Sequence, residues 1–242
     1  MVDIIKENPY KEIEKFINER GCNVRDFLKY ECDKNPEILQ MSAADQELFC
    51  TLYDEVFNPS STTKSKGNKL EDLTSVLFEK SFSNIFEVKR NCRTSSNEID
   101  LLIRWKQDPK SIGLDCVFGD RDSIFLCECK NYKGKVNVTY IGKFFSLMNY
   151  THTEIGVLVA WEGVTGTGWN AGLGLIKKIA LADKKYIIVI SKDDLYEIYQ
   201  KKTSLFKLLK DKYHSLKFDI GYEQYISKHE AEEKILSNIQ DV

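Results

Sequence analysis

The sequence predicts an α/β fold, with a mixed central β-sheet flanked by helices on both faces and preceded by an N-terminal helical region. Three strand-like segments come first, at 86–92, 98–105 and 123–130. Two largely apolar strands, at 154–161 and 185–190, then alternate with helical segments. Strands that precede a helical crossover, followed by strand–helix–strand alternation, imply one sheet with antiparallel and parallel parts.

The N-terminal residues are predicted to form two or three amphipathic helices. Apolar residues recur at helical spacing in the segments 13–17 and 49–57, with acids and bases between them. Residues 58–67 are polar and show no periodicity, which predicts a loop. Asn68 is a fair N-cap for a following helix that continues to Lys80.

The segment 123–130 is predicted to be the central strand of the sheet. The connection before it, residues 106–122, is polar and contains Asp, Pro and Gly, which is typical of irregular structure with room for a short strand at 112–118. Apolar spacing predicts helices at 139–150 and 169–182, and one or two further helices at 193–213.

Length and composition fit an ordinary globular protein. A chain of 242 residues holds one large domain, or one domain with a small appendage, and only four prolines argue against disorder. No apolar run is long enough to cross a membrane, and the N-terminus lacks the core of a signal peptide. Seven cysteines, an odd number without framework spacing, indicate reduced thiols. A cytoplasmic protein is therefore expected.

The formal net charge of −2 hides an asymmetry along the chain. Residues 1–60 hold thirteen acids and seven bases, so this segment carries −6 and the remainder +4. Between Lys201 and Lys217 there are six lysines and one acid. A protein that binds a polyanion needs a basic face without being basic overall. For this lysine run, a solvated helix face is the preferred interpretation.

The central strand carries charge where apolar residues are expected. Glu128 and Lys130 stand two residues apart, so both side chains project from the same face of the strand. Two ionised groups on a buried strand cost free energy unless they pair or bind something. Asp100 enters the apolar strand 98–103 in the same way. A second carboxylate beside Glu128 makes a hard-oxygen site suited to Mg²⁺.

The order of these charged residues resembles the PD-(D/E)XK nuclease superfamily, most closely the restriction-endonuclease-like branch that includes the Mrr-type enzymes. The resemblance covers about half of the chain, at 66–191. Glu71 stands on a segment similar to the leading helix of that branch. Residues 97–101 are similar to its strand with an apolar residue followed by Asp, and residues 128–132 to its E-x-K followed by a polar-aromatic pair.

Further features of the resemblance lie outside these motifs. The glycine-bearing segment 163–171 before a helix is similar to the turn after the fourth strand of the branch. Glu98 replaces the glycine that usually precedes the apolar-Asp pair, and residues 106–122 lengthen the gap between the two acidic strands. Such a motif set is moderately specific, because Glu and Lys are common residues.

The resemblance implies a metal-dependent endonuclease that hydrolyses DNA phosphodiester bonds, of restriction or defence type. Asp100 and Glu128, with the carbonyl of Cys129, are then ligands of Mg²⁺, with Mn²⁺ as the alternative. Lys130 lies near the attacking water, where it orients that water or stabilises charge on the phosphate. Glu71 approaches the metal site from its helix, or is simply an exposed acid in the first helical turn.

Four residues after the central strand are candidate DNA contacts of the kind that position a duplex without reading its sequence. They are Tyr132, Lys133, Lys135 and Lys143. Ordinary solvated lysine is the alternative for each of the three. Trp169 and Asn170 either pack a turn or approach nucleic acid.

The predicted organisation is a helical accessory region, a nuclease domain and a C-terminal helical extension, at 1–60, 66–191 and 192–242. DNA is the expected partner. A homodimer and a contact with an accessory protein through the first region are left open.

Three other interpretations compete with catalysis by a nuclease. The segment 166–171 fits G-x-G-x-x-G/A between a strand and a helix, which is the outline of a nucleotide-binding oxidoreductase. That motif stands late in the chain and leaves the acidic strands unexplained. The second interpretation is a non-catalytic nucleic-acid-binding module on a nuclease fold. In the third, Asp100 caps a turn, and Glu128 and Lys130 form only an ion pair on an edge strand. Cys127 and Cys129 are too few for a metal site and are predicted to pack into the core.

Overall fold

The computed structural model describes most of the chain. The described residues are 9–23, 26–27, 30, 40–56, 63–81, 86–93, 98–106, 124–166, 168 and 171–218. Their helices are α1 (Pro9–Glu19), α2 (Ala43–Val56), α3 (Thr63–Lys80), α4 (Val138–Tyr150), α5 (Gly172–Asp183), α6 (Lys192–Tyr199) and α7 (Leu205–Phe218). Their strands are β1 (Phe86–Arg93), β2 (Glu98–Trp105), β3 (Ile124–Lys130), β4 (Ile155–Ala160) and β5 (Tyr186–Ile190).

The five strands form one mixed sheet in the order β1-β2-β3-β4-β5. The first three pair antiparallel, and β3, β4 and β5 pair parallel. The predicted α/β class and mixed sheet are confirmed. β3 lies in the centre with a neighbour on each side, so the interpretation of Glu128 and Lys130 as an edge-strand ion pair is wrong.

Each face of the sheet is covered by a separate apolar layer. Helices α2, α3, α6 and α7 pack on one face, against strand residues that include Cys127 and Cys129. Helices α4 and α5 pack on the other face, against strand residues that include Leu126 and Leu158. Neighbouring residues of β3 therefore project into opposite layers, as strand geometry requires. Both cysteines are buried in the core, as predicted.

Helix α4 lies unusually close to β4. A Cβ atom on Gly156 would stand 2.7 Å from Cε1 of Phe144 and 2.8 Å from Sδ of Met148. The missing side chain lets the helix approach the strand backbone directly. This contact holds Phe144 and Met148 of α4 against the amino end of β4.

Helix α3 begins earlier than the sequence predicts. The helix starts at Thr63, so Asn68 lies inside it and is not its N-cap. Residues 58–67 were predicted to be a loop because they lack apolar periodicity. Periodicity marks only the turns that pack on a core, and a helix extends beyond them into solvent at little cost.

Four of the six lysines of the C-terminal run lie on α7, and Lys201 and Lys202 precede it in an exposed turn. Leu205, Phe206 and Tyr213 of this helix are buried. Lys207 pairs with Asp211 of the same helix at 2.9 Å. The preferred interpretation of this run is a solvated helix face, and the structure adds an ion pair on that face.

Several predictions lie outside the described residues. They concern the strand at 112–118, Trp169, Asn170, and the chain after Phe218. The division of the chain at residues 60 and 192 stays a prediction. No helix of the described part is long and apolar enough to span a bilayer.

Candidate active site

Asp100 lies where β2 and β3 separate. The pairing of these strands runs from Arg104 opposite Ile124 to Leu101 opposite Cys127. One residue further, Oδ2 of Asp100 accepts the backbone N–H of Cys129 at 2.8 Å. The carboxylate thus replaces a backbone carbonyl as acceptor, which holds it at the carboxyl end of β3.

The strand on the other side of Asp100 is irregular at the same level. Arg90 pairs with Leu101 and Cys92 with Ile99, so Asn91 stands opposite Asp100. Asn91 has a φ of 50°, in the left-handed region that Asn tolerates better than most residues. The irregularity interrupts the β1–β2 ladder beside the acid.

Glu128 and Lys130 project together from the end of β3. The Lys130 ammonium forms an ion pair with Glu128, and its Nζ lies 3.8 Å from Oδ2 of Asp100. The three side chains are only 18–20% exposed. The lysine therefore offsets the repulsion between two poorly solvated carboxylates.

Asp100, Glu128 and Lys130 form one charged cluster, in which the pKa values of Glu128 and Lys130 are shifted. Burial and the charge of Asp100 raise the pKa of Glu128, and Lys130 opposes this rise in part. Burial lowers the pKa of Lys130, but the charges of Glu128 and Asp100 outweigh it, so the net shift is upward. Lys130 is therefore a cation throughout the physiological pH range.

Glu71 joins the cluster from α3. Its side chain is 18% exposed and lies 3.6 Å from Nη2 of Arg90 on β1. Burial and the charge of Asp100 raise the pKa of Glu71, and Arg90 lowers it in part. Because α3 starts at Thr63, Glu71 lies well inside the helix. The alternative of an exposed first-turn acid is wrong.

Glu71 is held in place by the packing of α3 on the sheet. Cys129 donates its Sγ–H to Oγ1 of Thr74 at 3.6 Å, and Thr74 in turn donates to the carbonyl of Leu70. The buried face of β3 therefore contacts the helix within one turn of Glu71. The core position of Cys129 links the two acidic elements.

A comparison with family models decides the class of this chain. The model for the Mrr-type catalytic domain, described as restriction endonuclease, matches residues 62–191, just over half of the chain. The chain belongs to the Mrr-type restriction endonuclease family. The match confirms the resemblance drawn from Asp100 and the Glu128–Lys130 motif. No curated protein and no solved structure matches the chain.

Membership of the Mrr-type family implies DNA as the substrate, and two of the predicted DNA contacts lie beside the acids. The ring of Tyr132 is 5.8 Å from that of Tyr140, and Nζ of Lys143 is 5.5 Å from the Tyr140 ring. Burial and a hydrogen bond with Tyr140 raise the pKa of Tyr132 well above its usual range, with smaller contributions from Glu128 and Asp100. This phenol therefore stays protonated as a hydrogen-bond donor.

Lys133 and Lys135, the other two predicted contacts, are exposed in the segment between β3 and α4. Two backbone bonds hold this segment: Val136 donates to the carbonyl of Gly163 at 2.9 Å and accepts from Thr165 at 2.9 Å. Among the described residues, neither lysine forms an ion pair. They follow Lys130, the last residue of β3, by three and five positions.

The Mrr-type chain uses its glycine-bearing turn for internal packing. The N–H of Gly172, the first residue of α5, donates to Oγ1 of Thr165 at 2.7 Å, and the N–H of Leu173 donates to the carbonyl of Thr165 at 3.0 Å. These are the groups that a dinucleotide pyrophosphate needs. The described sheet also lacks the reversal of strand order at which dinucleotides bind. Both findings argue against the oxidoreductase interpretation.

Two residues near the acids could not be found by sequence reasoning. Arg90 forms ion pairs with Glu71 and Asp72, but a basic residue in an exposed strand gives no signal by itself. Tyr140 lies at the start of α4, where Oδ1 of Asn137 caps the helix. An aromatic residue three positions before Lys143 was the only available sign of its role.

Proposed function

We propose that this chain is a metal-dependent endonuclease that hydrolyses DNA phosphodiester bonds in restriction or defence. The observation that carries the proposal is the convergence of Asp100, Glu128 and Lys130 at the separated ends of β2 and β3, inside the segment that matches the family. The order of these residues along the chain and their burial both favour a catalytic role over a simple ion pair.

The donor set fits Mg²⁺, with Mn²⁺ as the alternative. Asp100 and Glu128 offer hard carboxylate oxygens, and their mutual repulsion, seen in the raised pKa of Glu128, favours a bound cation. Among the described residues, no three acids, histidines or cysteines form a ready metal cluster. Asp100 and Glu128 are the two carboxylates that would hold the cation, and Lys130 is paired with Glu128 in its absence.

We assign the third oxygen ligand of the cation to the backbone carbonyl of Cys129. In a β-strand the N–H and C=O of one residue point to the same edge. The N–H of Cys129 points to Asp100, whereas the next carbonyl, that of Lys130, accepts from Trp161 on the other side at 3.0 Å. The Cys129 carbonyl thus faces the acid.

The cation, when bound, supplies charge neutralisation at the scissile phosphate and a water acidic enough to attack it. Lys130, which stays protonated, donates hydrogen bonds to the attacking water or to a phosphate oxygen and does not act as a base. Tyr132, Lys133, Lys135 and Lys143 bind the DNA backbone. Glu71 accepts a hydrogen bond from water near Asp100 and positions it.

The test is cleavage of supercoiled plasmid with Mg²⁺ or with EDTA. We expect nicking or linearisation that needs the metal and falls by about a hundredfold or more in Asp100→Ala and Lys130→Ala, the usual cost of removing one preorganised transition-state contact. Glu87→Gln is the matched control. Glu87 is a partly exposed acid that pairs with Arg104, at the opposite end of the paired strands β1 and β2 from Asp100.

Retained cleavage in either catalytic variant, with contaminating nuclease excluded, would refute the assigned roles. Metal-independent cleavage would refute the metal site. DNA binding without cleavage under every condition would favour the non-catalytic module. A homodimer, an accessory contact through residues 1–60 and a cytoplasmic location stay predictions.

A further inference from the structure

A cavity of about 200 Å³ opens directly beside Glu128 and Lys130. Its other walls come from Tyr140, Phe144 and Leu147 of α4 and from Leu158 of β4. A water molecule takes roughly 30 Å³ in the liquid, so the cavity holds several waters or one flat ring system. It is smaller than the roughly 300–1,000 Å³ of drug-sized ligand sites.

The walls of this cavity are chemically unequal. Glu128 and Lys130 offer polar groups on one side, while Phe144 and Leu158 are almost fully buried and apolar. A phosphate group needs no apolar wall, and a purely apolar ligand needs no charged pair. A ligand with a flat apolar face and polar edges fits both sides of the cavity.

Two exposed aromatic residues are found at the cavity: Tyr140, which lines it, and Tyr132, whose ring neighbours that of Tyr140. Tyr132 is 37% and Tyr140 is 40% exposed, and their rings are neighbours. The ammonium of Lys143 lies over the Tyr140 ring. Aromatic side chains combined with a cation form the surface on which proteins stack unpaired bases while they hold the backbone.

The position of the cavity matters for the substrate. A base within a duplex is stacked and paired, so it cannot enter a cavity beside the groups that hold its own phosphate. A base that is unpaired or flipped out of the duplex can enter it. Gly156 lets α4 approach β4 closely, so the walls of the cavity are fixed relative to Glu128 and Lys130.

We propose that the cavity binds an unstacked nucleobase next to the scissile phosphate, with Tyr140 as the stacking residue. The preferred substrate is then DNA with an unpaired or flipped nucleotide at the point of cleavage. The inference rests on the proposed nuclease function, since it places the phosphate beside Lys130 and the carboxylates that would hold the cation. It makes Tyr140 a specificity-determining residue.

The test is equilibrium binding of three fluorescein-labelled duplexes, measured by anisotropy in EDTA. The first is fully paired, the second has a single-nucleotide bulge, and the third has the same bulge with an abasic residue. Each bulge base is tested in turn, because base preference is unknown. We expect the natural bulge to bind more tightly than the other two by about 5- to 150-fold, the effect of one aromatic–base stack.

Variants of Tyr140 separate stacking from backbone attraction. Tyr140→Ala should abolish the advantage of the bulge, and Tyr140→Phe, which keeps the ring, should retain it. Tyr150→Ala is the matched control, because Tyr150 lies at the far end of the same helix and is 56% exposed. Circular dichroism of each variant verifies the fold.

The outcomes distinguish this inference from the proposed nuclease function. Equal affinities for the three duplexes, or an unchanged advantage in Tyr140→Ala, would overturn the cavity assignment and leave metal-dependent plasmid cleavage untouched. A Tyr140-dependent advantage in a protein that never cleaves DNA would support the cavity and refute the nuclease function. Absence of binding to every duplex would overturn the cavity assignment, and plasmid cleavage with Mg²⁺ would still decide the nuclease function separately.

Discussion

At the scale of single residues, the site contains more acidic than basic side chains. Lys130 is the cation beside Glu128 and Asp100, and Arg90 forms ion pairs with both Glu71 and Asp72. The cluster therefore keeps an excess of negative charge in a half-buried place, and this excess costs stability. Such a cost is common where a site is arranged for function.

The cost is testable at Glu71. Because its pKa is raised in the folded protein, the folded state keeps a proton that the unfolded state has released, over the pH window between the ordinary and the raised values. The free energy of unfolding therefore falls as pH rises through this window. We expect Glu71→Gln to melt at a higher temperature than the natural protein at pH 8, with the difference shrinking as pH falls below the ordinary carboxyl pKa.

Thermal denaturation across pH 4 to 8 measures this difference. Asp72→Asn is the control, because Asp72 is 44% exposed and pairs with Arg90, so its loss is not expected to raise the melting temperature. A lower melting temperature for Glu71→Gln at pH 8 would show that the contact with Arg90 outweighs burial and repulsion. In either case plasmid cleavage by Glu71→Gln reports whether the acid also serves hydrolysis.

At the scale of secondary-structure elements, α2 is bound firmly to the catalytic domain although it lies outside the segment that matches the family. Phe49, Tyr53 and Val56 enter the same apolar layer as α3 and the sheet. Gln46 donates to the carbonyls of Ile198 and Tyr199, at 3.1 and 3.3 Å. We infer that α2 contributes to the stability of the domain.

The contribution of α2 is measured by Phe49→Ala. Phe49 is fully buried, so the substitution removes a ring from the core and leaves a cavity. We expect urea unfolding to show a loss of about 3–5 kcal/mol in the free energy of unfolding. Leu48→Ala, at a neighbouring position that is 43% exposed, should stay within about 0.5 kcal/mol. Equal effects of the two substitutions would contradict a core position for α2.

The elements also show what sequence patterns can and cannot predict. The order of strands, the central place of β3 and the shared face of Glu128 and Lys130 follow from period-two patterning and chain order. The start of α3 and the positive φ of Asn91 do not, because neither leaves an apolar signature. The roles of Arg90 and Tyr140 depend on contacts made between distant segments, which only the folded chain defines.

At the scale of the whole molecule, a chain with a net charge of −2 must bind DNA through a local surface. Lys207 and Lys212 of α7 are poor candidates for this DNA-binding surface, since each is paired with an acid at 2.9 Å. Lys143 lines the cavity beside Glu128 and Lys130, and Lys133 and Lys135, the other proposed DNA contacts, follow β3 in an exposed segment. The electrostatic footprint is therefore small.

A small footprint predicts a modest dependence of DNA affinity on salt. If three lysines contact phosphates, a plot of log K against log salt concentration should have a slope of about −2.7. Fluorescence anisotropy with paired duplex at several salt concentrations gives this slope, and the triple alanine variant of these lysines should flatten it. Replacement of Lys207 and Lys210 is the control. A slope unchanged by the triple variant would locate the DNA surface elsewhere.

The ion pair between Lys130 and the two acids has a consequence for how the chain folds before any cation binds. The chain carries its own counter-charge, so the acidic strands can come together during synthesis without waiting for a cation from the cell. Folding and activation are thereby separate events. On the proposed mechanism, the protein folds completely without the cation and becomes active only when the cation binds.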